Sequence, residues 1–249
     1  FFVRYGRYMW DLVHGDLGTS YKTRDPVGEE VWARLPNTFK LAATSTIIAI
    51  VLALPLGVIA AIKQNTLFDG VSMFISLLGI SIPIFWFGLL LILLFSVTLG
   101  WFPVSGADQG IKSLVLPSLA LGFQHMAAIA RTTRSSMLEQ IRQDYIRTVR
   151  AKGLPEGEVI TKHALRNALI PTTTVIGLQM GGMLGGSVLT ESVFAWPGIG
   201  RYMVQSIQGR DIPSVMGCII IFAISFALIN LLVDLIYGFI DPRIKAQYK

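Results

Sequence analysis

The 249-residue chain is 53% hydrophobic and 14% charged, with a formal net charge of +6 and a mean hydropathy of +0.60. Soluble domains carry roughly a quarter charged residues, whereas the apolar residues here form blocks of about 20, enough for a helix to cross a bilayer. The composition excludes a soluble catalytic domain and predicts an all-α polytopic membrane protein. The positive charge is explained by basic loops and does not require a nucleic-acid partner.

Residues 1–36 are mixed in polarity and predict a lobe outside the membrane. Aromatic residues near the start suit a short amphipathic helix at a membrane interface, and Pro26 is placed to open a second helix. The chain begins at Phe1 without a visible signal peptide, so we expect a further segment upstream of this residue. If the lobe lies outside the membrane, that segment is expected to hold one further span.

Apolar blocks within residues 37–238 predict five membrane spans. Pro83 should kink the second span, which is long enough to tilt, and Pro213 opens the fifth. The spans are expected at residues 40–62, 70–99, 113–132, 167–189 and 213–236.

Polar side chains inside the predicted spans are Gln124, His125 and Gln179. Such groups either form helix–helix hydrogen bonds or line a pathway, and both alternatives stay open. The fourth span also carries two rows of glycine at four-residue spacing, which predict a close helix–helix contact or, alternatively, a gating surface. These rows are Gly177, Gly181 and Gly185, and Gly182 and Gly186.

Lysine and arginine are dense between residues 133 and 167, which predicts a cytoplasmic loop. Alternation across the spans then gives the sides of the other segments. The 63–69 loop and the tail 239–249 are expected in the cytoplasm, whereas the N-terminal lobe and the 99–112 and 190–212 loops are expected outside.

Motifs for catalysis are absent from the sequence. It has no P-loop, GxSxG or HExxH pattern, and its histidines are too dispersed for a metal site. Its one cysteine, Cys218, excludes an intrachain disulfide. Asp234 is the only acidic residue clearly within an apolar run, so ion-coupled transport lacks its usual charges. We therefore predict no catalytic residue, cofactor or metal in this chain, and expect a partner to supply energy for any transport.

The polar segment 144–171 predicts a short helix, a stop and a second helix. Tyr145, Ile146 and Val149 share one apolar face. Gly153 can take a positive φ to end the first helix, and Pro155 cannot continue it. The second helix has an apolar face of its own, formed by Val159, Ile160, Ala164, Leu165 and Leu169.

The same segment resembles the cytoplasmic EAA loop of ABC-importer permeases. Gly153 and Leu165 stand at the spacing of the general pattern. Arg147-Thr148-Val149 and Arg166 depart from it and resemble the variant of dipeptide, oligopeptide and nickel permeases. Further motifs resemble this subfamily in the same order, so the resemblance covers the whole chain: HGDLGTS, PVGEE, RLPNT, SIPIFWFG, RTTRSSMLE, TESVFAWPGIGR, and NLLVDLIYG followed by DPR.

This resemblance implies a type I ABC-importer transmembrane domain that forms half of a pathway for dipeptides or short oligopeptides. A second homologous permease, two cytoplasmic ATPases holding ATP and Mg, and an external solute-binding protein would be its partners. The location would be the inner membrane of a bacterium or archaeon. Nickel or another small solute is the alternative within the family. An ion-coupled transporter or a membrane scaffold is the alternative outside it.

Two sets of site residues follow from the resemblance. The residues expected to couple to the ATPases are Tyr145, Ile146, Arg147, Val149, Ala151, Lys152, Gly153, Leu154, His163 and Leu165. Those expected on the pathway or in the external loop are Gln124, His125, Gln179, Glu191, Phe194 and Trp196. We expect Phe194 and Trp196 to form an exposed apolar tip, and the apolar faces around Gly153 to lie in a groove of the ATPase.

Overall fold

The computed structural model describes residues 2–240, which fold as a bundle of helices. The α-helices are α1 (Phe2–Val13), α2 (Val27–Ile62), α3 (Leu67–Ser81), α4 (Ile84–Leu91), α5 (Ile111–Ile141), α6 (Asp144–Ala151), α7 (Glu156–Glu158), α8 (Leu165–Val193), α9 (Ile199–Gln208) and α10 (Ile212–Ile240). A π-helical turn, Ile92–Thr98, extends α4, and a second, Val159–Ala164, joins α7 to α8.

Helix α2 runs without a break through Pro36 and Pro55. The predicted boundary between residues 36 and 37 therefore falls inside a helix, and the helix that contains the first predicted span begins at Val27, well before Lys40. Helix α1, by contrast, matches the expected short helix, and Pro26 immediately precedes α2 as expected. The helix is 36 residues long, about 54 Å at 1.5 Å per residue, so it extends beyond a bilayer core.

The second predicted span is broken rather than kinked. Helices α3 and α4 meet at Pro83 with a change of direction of 105°. Ile82, the residue before the proline, is extended at φ −86° and ψ 124°, because proline disfavours the α conformation in its predecessor. The predicted change of direction at Pro83 is confirmed, but it is a break between two helices and not a kink within one.

By length and composition, α2, α5 and residues 212–233 of α10 could each cross a membrane, and the α3–α4 pair is a fourth candidate. The fourth predicted span is helix α8, which is 29 residues long but rich in glycine and threonine. Its crossing of the membrane stays a prediction, as does the span expected upstream of Phe1.

Helix α5 lies at the centre of the bundle and approaches two neighbours, α2 and α3, through glycine. A Cβ placed on Gly57 of α2, Gly79 of α3 or Gly122 of α5 itself would lie 2.4–2.7 Å from a backbone oxygen of the facing helix. These contacts leave no room for a larger residue. Helices α2 and α3 therefore pack directly against the α5 backbone.

The glycine rows of α8 face two different neighbours, except at Gly185, where a Cβ would meet no atom within 4 Å. A Cβ on Gly177 would lie 2.1 Å from Val233 of α10, and Gly181 faces Phe226 of the same helix. Gly182 and Gly186 instead face His125 of α5. The predicted close helix–helix contact is confirmed.

Several predicted loops are helical. Helix α5 continues to Ile141 and α8 begins at Leu165, so the expected 133–167 loop narrows to residues 142–164. The expected 190–212 loop contains the end of α8 and all of α9. Of the expected tail, residues 241–249 with the DPR motif lie outside the described residues, as does the side chain of Asp234.

Candidate functional site

The connection between α5 and α8 carries most of the predicted coupling residues, and we call residues 142–164 the Gly153 element. Its short helix α6 turns Ile146 inward, where the side chain is fully buried. Ile146 joins an apolar cluster at the end of the bundle that we call the basic end. The other buried members of this cluster are Ala61, Met137, Val159, Ile160, Ala164 and Ala168.

The turn after α6 is built on Gly153, which has φ +80°. Its backbone N–H donates to the carbonyl of Arg150 at 2.9 Å, which closes the helix as predicted. A Cβ at Gly153 would meet no atom within 4 Å. Backbone conformation, not space, is therefore the reason for glycine here.

A bidentate ion pair spans this turn. The Arg150 guanidinium donates from Nε and Nη2 to the carboxylate of Glu156, at 3.0 and 2.6 Å. These hydrogen bonds lower the pKa of Glu156 below its ordinary value. Both side chains are substantially exposed, so solvent screens the pair and its contribution to stability is small.

Tyr145 ties the Gly153 element to both flanking helices. Its hydroxyl donates to Oε1 of Gln140 in α5 at 2.8 Å and accepts from Nδ2 of Asn167 in α8 at 2.9 Å. Asn167 also donates to the carbonyl of His163 at 3.1 Å. The element is thus joined to α5 and α8 by hydrogen bonds as well as by apolar packing.

The two apolar faces predicted for a partner are used within the chain itself. Ile146, Val159, Ile160 and Ala164 are buried in the basic-end cluster, so the prediction that these faces meet another protein is wrong. The amphipathic pattern has its usual cause, since the apolar stripe of a surface helix faces its own core. Of the predicted coupling residues other than Ile146, four are half-buried, namely Val149, Leu154, His163 and Leu165, and five are exposed, namely Tyr145, Arg147, Ala151, Lys152 and Gly153.

An open groove lies beside this element. It has a volume of 530 Å³ and is lined by residues of the π-helical turn and the first turns of α8. The lining includes His163 and Leu165 of the predicted set, together with Lys162 and Arg166. The groove therefore offers a mixed, positively charged surface.

At the other end of the bundle, the far end, the chain turns from α8 into α9, and we call residues 191–208 the Trp196 element. Glu191 is fully buried at the end of α8. Its Oε1 accepts from the Thr38 hydroxyl at 2.8 Å, and its Oε2 accepts from the backbone N–H of Arg201 at 3.0 Å. The carboxylate thus joins α8 to α2 and to the first turn of α9.

The predicted exposed tip is buried. Phe194 and Trp196 are only 3% and 4% exposed, so their exposure was predicted wrongly. The indole N–H of Trp196 donates to the carbonyl of Asn37 at 3.0 Å, and the Asn37 side chain donates to the carbonyl of Pro197 at 3.0 Å. Trp196 thus anchors the connection to α2, whereas Phe194 packs in a cluster with residues of α4 and α5. Neither contact is revealed by the local sequence pattern.

Glycine permits this arrangement. A Cβ on Gly198 would lie 2.3 Å from the Glu191 carboxyl group, and one on Gly200 would lie 2.6 Å from the Cα of Val188. Close approach therefore explains both glycines.

The polar residues within the helices are brought together in part. Nε2 of Gln179 in α8 lies 3.2 Å from Nδ1 of His125 in α5, and both side chains are half-buried. This is the helix–helix hydrogen bond that the sequence allowed. Gln124 is also half-buried. Whether these residues line a pathway stays a prediction.

Among the side chains that the structure describes, no group of three or more His, Cys, Asp and Glu residues is placed to hold a metal ion. Cys218 is a buried free thiol, as expected for a small apolar core residue.

Residues that the sequence reasoning did not single out complete both elements. Asn37, Thr38 and Arg201 hold the Trp196 element, and Asn167 holds Tyr145. The partners of Glu191 and Trp196 in α2 are 153 and 159 positions away, so no local spacing indicates them. Their one signal was the RLPNT motif, which contains Asn37 and Thr38.

The fold is that of the membrane subunits of ABC importers. A structure of the inward-facing MetNI methionine ABC transporter superimposes with a TM-score of 0.73 at 21% identity, covering 85% of this chain and 96% of that chain. A structure of an amino acid ABC transporter gives a TM-score of 0.65 at 16% identity, with 84% and 93% covered. The expected type I importer fold is confirmed.

Residues 53–246 match the family described as binding-protein-dependent transport system inner membrane component, and the chain belongs to this family. It is 49% identical to the dipeptide transport system permease protein DppB of Alkalihalophilus pseudofirmus, covering 98% of this chain and 82% of that protein. DppB of Escherichia coli K12 is 43% identical, with 97% and 80% covered. The glutathione transport system permease protein GsiC of Escherichia coli O6:H1 is 46% identical, with 97% and 79% covered. The resemblance read from the motifs is confirmed, and the protein is a multi-pass inner-membrane permease component.

Proposed function

We propose that this chain is the permease subunit of an ATP-driven importer of dipeptides or short oligopeptides. The observation that carries the mechanism is the division of the Gly153 element into two sides. Its apolar side is locked into the bundle, and its polar side is exposed. An element of this kind can receive a push from a partner and pass it to α5 and α8 together.

The basic end faces the cytoplasm in this proposal. Exposed Arg142, Arg147, Arg150, Lys152 and Lys162 belong to the Gly153 element, and positive charge is retained on the cytoplasmic side of membrane proteins. The far end, with the Trp196 element, then faces outward.

Two cytoplasmic ATPases bind ATP and Mg and contact the exposed side of the Gly153 element and its neighbouring groove. This chain itself hydrolyses no nucleotide. Closure of the ATPases moves the element as a rigid body, because Ile146 and Tyr145 fix it to α5 and α8. Access to the pathway alternates as these two helices move.

A second homologous permease completes the pathway, with Gln124, His125 and Gln179 on the side of this chain that faces it. Amide side chains both donate and accept hydrogen bonds, as peptide groups do, so Gln124 and Gln179 suit a peptide solute. Related permeases are named for dipeptides, di- and tripeptides, oligopeptides and glutathione, which supports short peptides over nickel.

An external solute-binding protein delivers the peptide to the far end. The Trp196 element is held to α2 by the hydrogen bonds of Glu191 and Trp196. It therefore presents a fixed surface to that protein and keeps the outer mouth in one shape.

The test is to purify the complex through this chain and reconstitute it in proteoliposomes. We expect two ATPases and a second permease to co-purify, and peptide uptake to require ATP and the binding protein. Uptake of nickel in place of peptides would change the assigned solute but keep the chain in the same permease family. Uptake driven by an ion gradient without ATP would overturn the proposal.

A further inference from the structure

A partly buried ion pair outside the Gly153 element joins two helices at the basic end. Asp69, in the first turn of α3, accepts hydrogen bonds from Nε and Nη2 of Arg134 in α5, both at 2.7 Å. The two side chains are 9% and 27% exposed. A bidentate arginine–carboxylate pair fixes orientation as well as distance, so α3 and α5 are held in one relative geometry here.

The same carboxylate organises the connection between α2 and α3. Oδ2 of Asp69 also accepts from the backbone N–H of Asn65 at 3.1 Å. Asn65 has φ +60°, in a region that non-glycine residues adopt infrequently. Beside it, Gln64 accepts a hydrogen bond from Arg142, the first residue of the Gly153 element, at 3.3 Å. The connection is thus tied to α5 and to the Gly153 element at once.

Helix α3 is held to α5 at its other end by a different contact. A Cβ on Gly79 would lie 2.4 Å from the carbonyl oxygen of Phe123, so the two backbones touch. Beyond this contact the chain turns by 105° into α4. A movement of α5 that reaches both ends of α3 therefore carries α4 with it.

We propose that the Asp69–Arg134 pair is a positioning latch that makes α3 move with α5 when the Gly153 element is displaced. Arg134 lies in the part of α5 that leads into that element, and Met137 in the same part packs in the cluster around Ile146. The latch rests on the proposed function, since it passes on a movement that the ATPases produce. Asp69 and Arg134 position helices and do not touch the solute.

The first experiment uses the assembled transporter in proteoliposomes and measures peptide uptake and ATP hydrolysis in the same vesicles. In Asp69→Asn we expect hydrolysis to stay within about twofold and uptake to fall about tenfold, because a severed pair leaves α3 behind α5. The charge-swapped double variant Asp69→Arg with Arg134→Asp should regain about a third of the lost uptake, since coupled residues are non-additive.

Two further variants separate a latch from a stability effect. Glu30→Gln breaks an ion pair with Arg34 at the far end, where both side chains are about a third exposed, and should leave peptide imported per ATP unchanged. Arg134→Lys keeps the charge but loses the bidentate geometry and should lower that ratio about threefold. Arg134→Lys also replaces Asp69→Asn as the test if the Asp69→Asn protein fails to accumulate. An unchanged ratio in Asp69→Asn or, should that variant fail to accumulate, in Arg134→Lys would overturn the latch.

A second experiment does not depend on the transported solute. Spin labels at Phe68→Cys and Gln143→Cys, both exposed positions, report the distance between α3 and the Gly153 element with and without ATP. We expect one narrow distance in both conditions, and a broad distribution once Asp69→Asn is added. A broad distribution with Asp69 intact would overturn the latch, whereas absent peptide uptake by the unaltered complex would overturn only the proposed function.

Discussion

The Gly153 element and the Trp196 element lie at opposite ends of α8, and both contain short helices. Their carboxylates differ, because those of the first are ion-paired on the surface and that of the second is buried. Glu156 and Glu158 at the basic end pair with Arg150 and Lys162 on the surface. Glu191 at the far end is fully buried and accepts hydrogen bonds from a hydroxyl and a backbone N–H.

The difference shows which turn is complete within this chain. Glu191 accepts hydrogen bonds from α2 and from the first turn of α9, so the Trp196 element is held in place within this chain. The Gly153 element packs its apolar face against the bundle and leaves its charged side chains exposed. The charged side chains of this surface stay hydrated, so exposing them costs little free energy, and the surface remains free for a partner. Changes at the far end should therefore affect folding first, and changes at the basic end should affect coupling first.

The largest effect is expected for Glu191→Ala. The change leaves the Thr38 hydroxyl and the Arg201 N–H without an acceptor in a buried region, which should cost about 3 kcal/mol in the free energy of unfolding. The unfolding temperature of the purified protein measures this. Glu158→Ala, at an exposed ion pair, is the control and should not change it. Equal effects of the two variants would contradict the contrast between the elements.

A similar loss is expected for Ile146→Ala, which opens a cavity in the basic-end cluster. Removing a fully buried isoleucine side chain costs about 2–5 kcal/mol. Hydrogen exchange of residues 142–164 should increase more than exchange elsewhere, because this side chain attaches the element. Val149→Ala, at a half-buried position of the same helix, should have a smaller effect. Protection unchanged in Ile146→Ala would show that the element is held by other contacts.

Gly153→Val should act on coupling more than on stability. Valine at φ +80° is strained by about 1–2 kcal/mol, although a Cβ at this position would meet no atom within 4 Å. We expect near-normal abundance and a lower ratio of peptide uptake to ATP hydrolysis in the reconstituted complex. Gly157→Val is matched to it, since Gly157 has equal space and no positive φ. Normal uptake in Gly153→Val would remove the turn from the coupling mechanism.

The smallest effect concerns pH. Since the Arg150 hydrogen bonds lower the pKa of Glu156, the pair stabilises the turn above the unfolded pKa and loses this as the pH falls through the lower folded value. This stabilisation is lost below about pH 4. Because the pair is exposed, the loss amounts to less than about 1 kcal/mol in the free energy of unfolding. Glu156→Gln should remove this part of the pH dependence of hydrogen exchange at residues 150–157. An identical profile in the variant would show that the pair is not formed.

The sequence by itself determined the class of protein and the position of its turns. The apolar blocks indicate helices through their length. Local backbone conformation explains the turns at Pro83, Gly153 and Pro155. Helices, the break at Pro83 and the positive φ of Gly153 were therefore predictable, although the 105° angle was not. The glycine rows likewise indicated close packing, but not that Gly177 and Gly182 face different helices.

Only the tertiary structure decided which surfaces are free. An apolar stripe has the same spacing whether it faces the chain's own core or a partner, so the stripe around Ile146 was assigned to the wrong neighbour. Phe194 and Trp196 were taken for an exposed tip for the same reason, because their cover, including Asn37, is distant in sequence. The pairing of Asp69 with Arg134 across 65 positions likewise follows from how α3 lies on α5. Burial and long-range pairing are properties of the packed bundle, and no local pattern carries them.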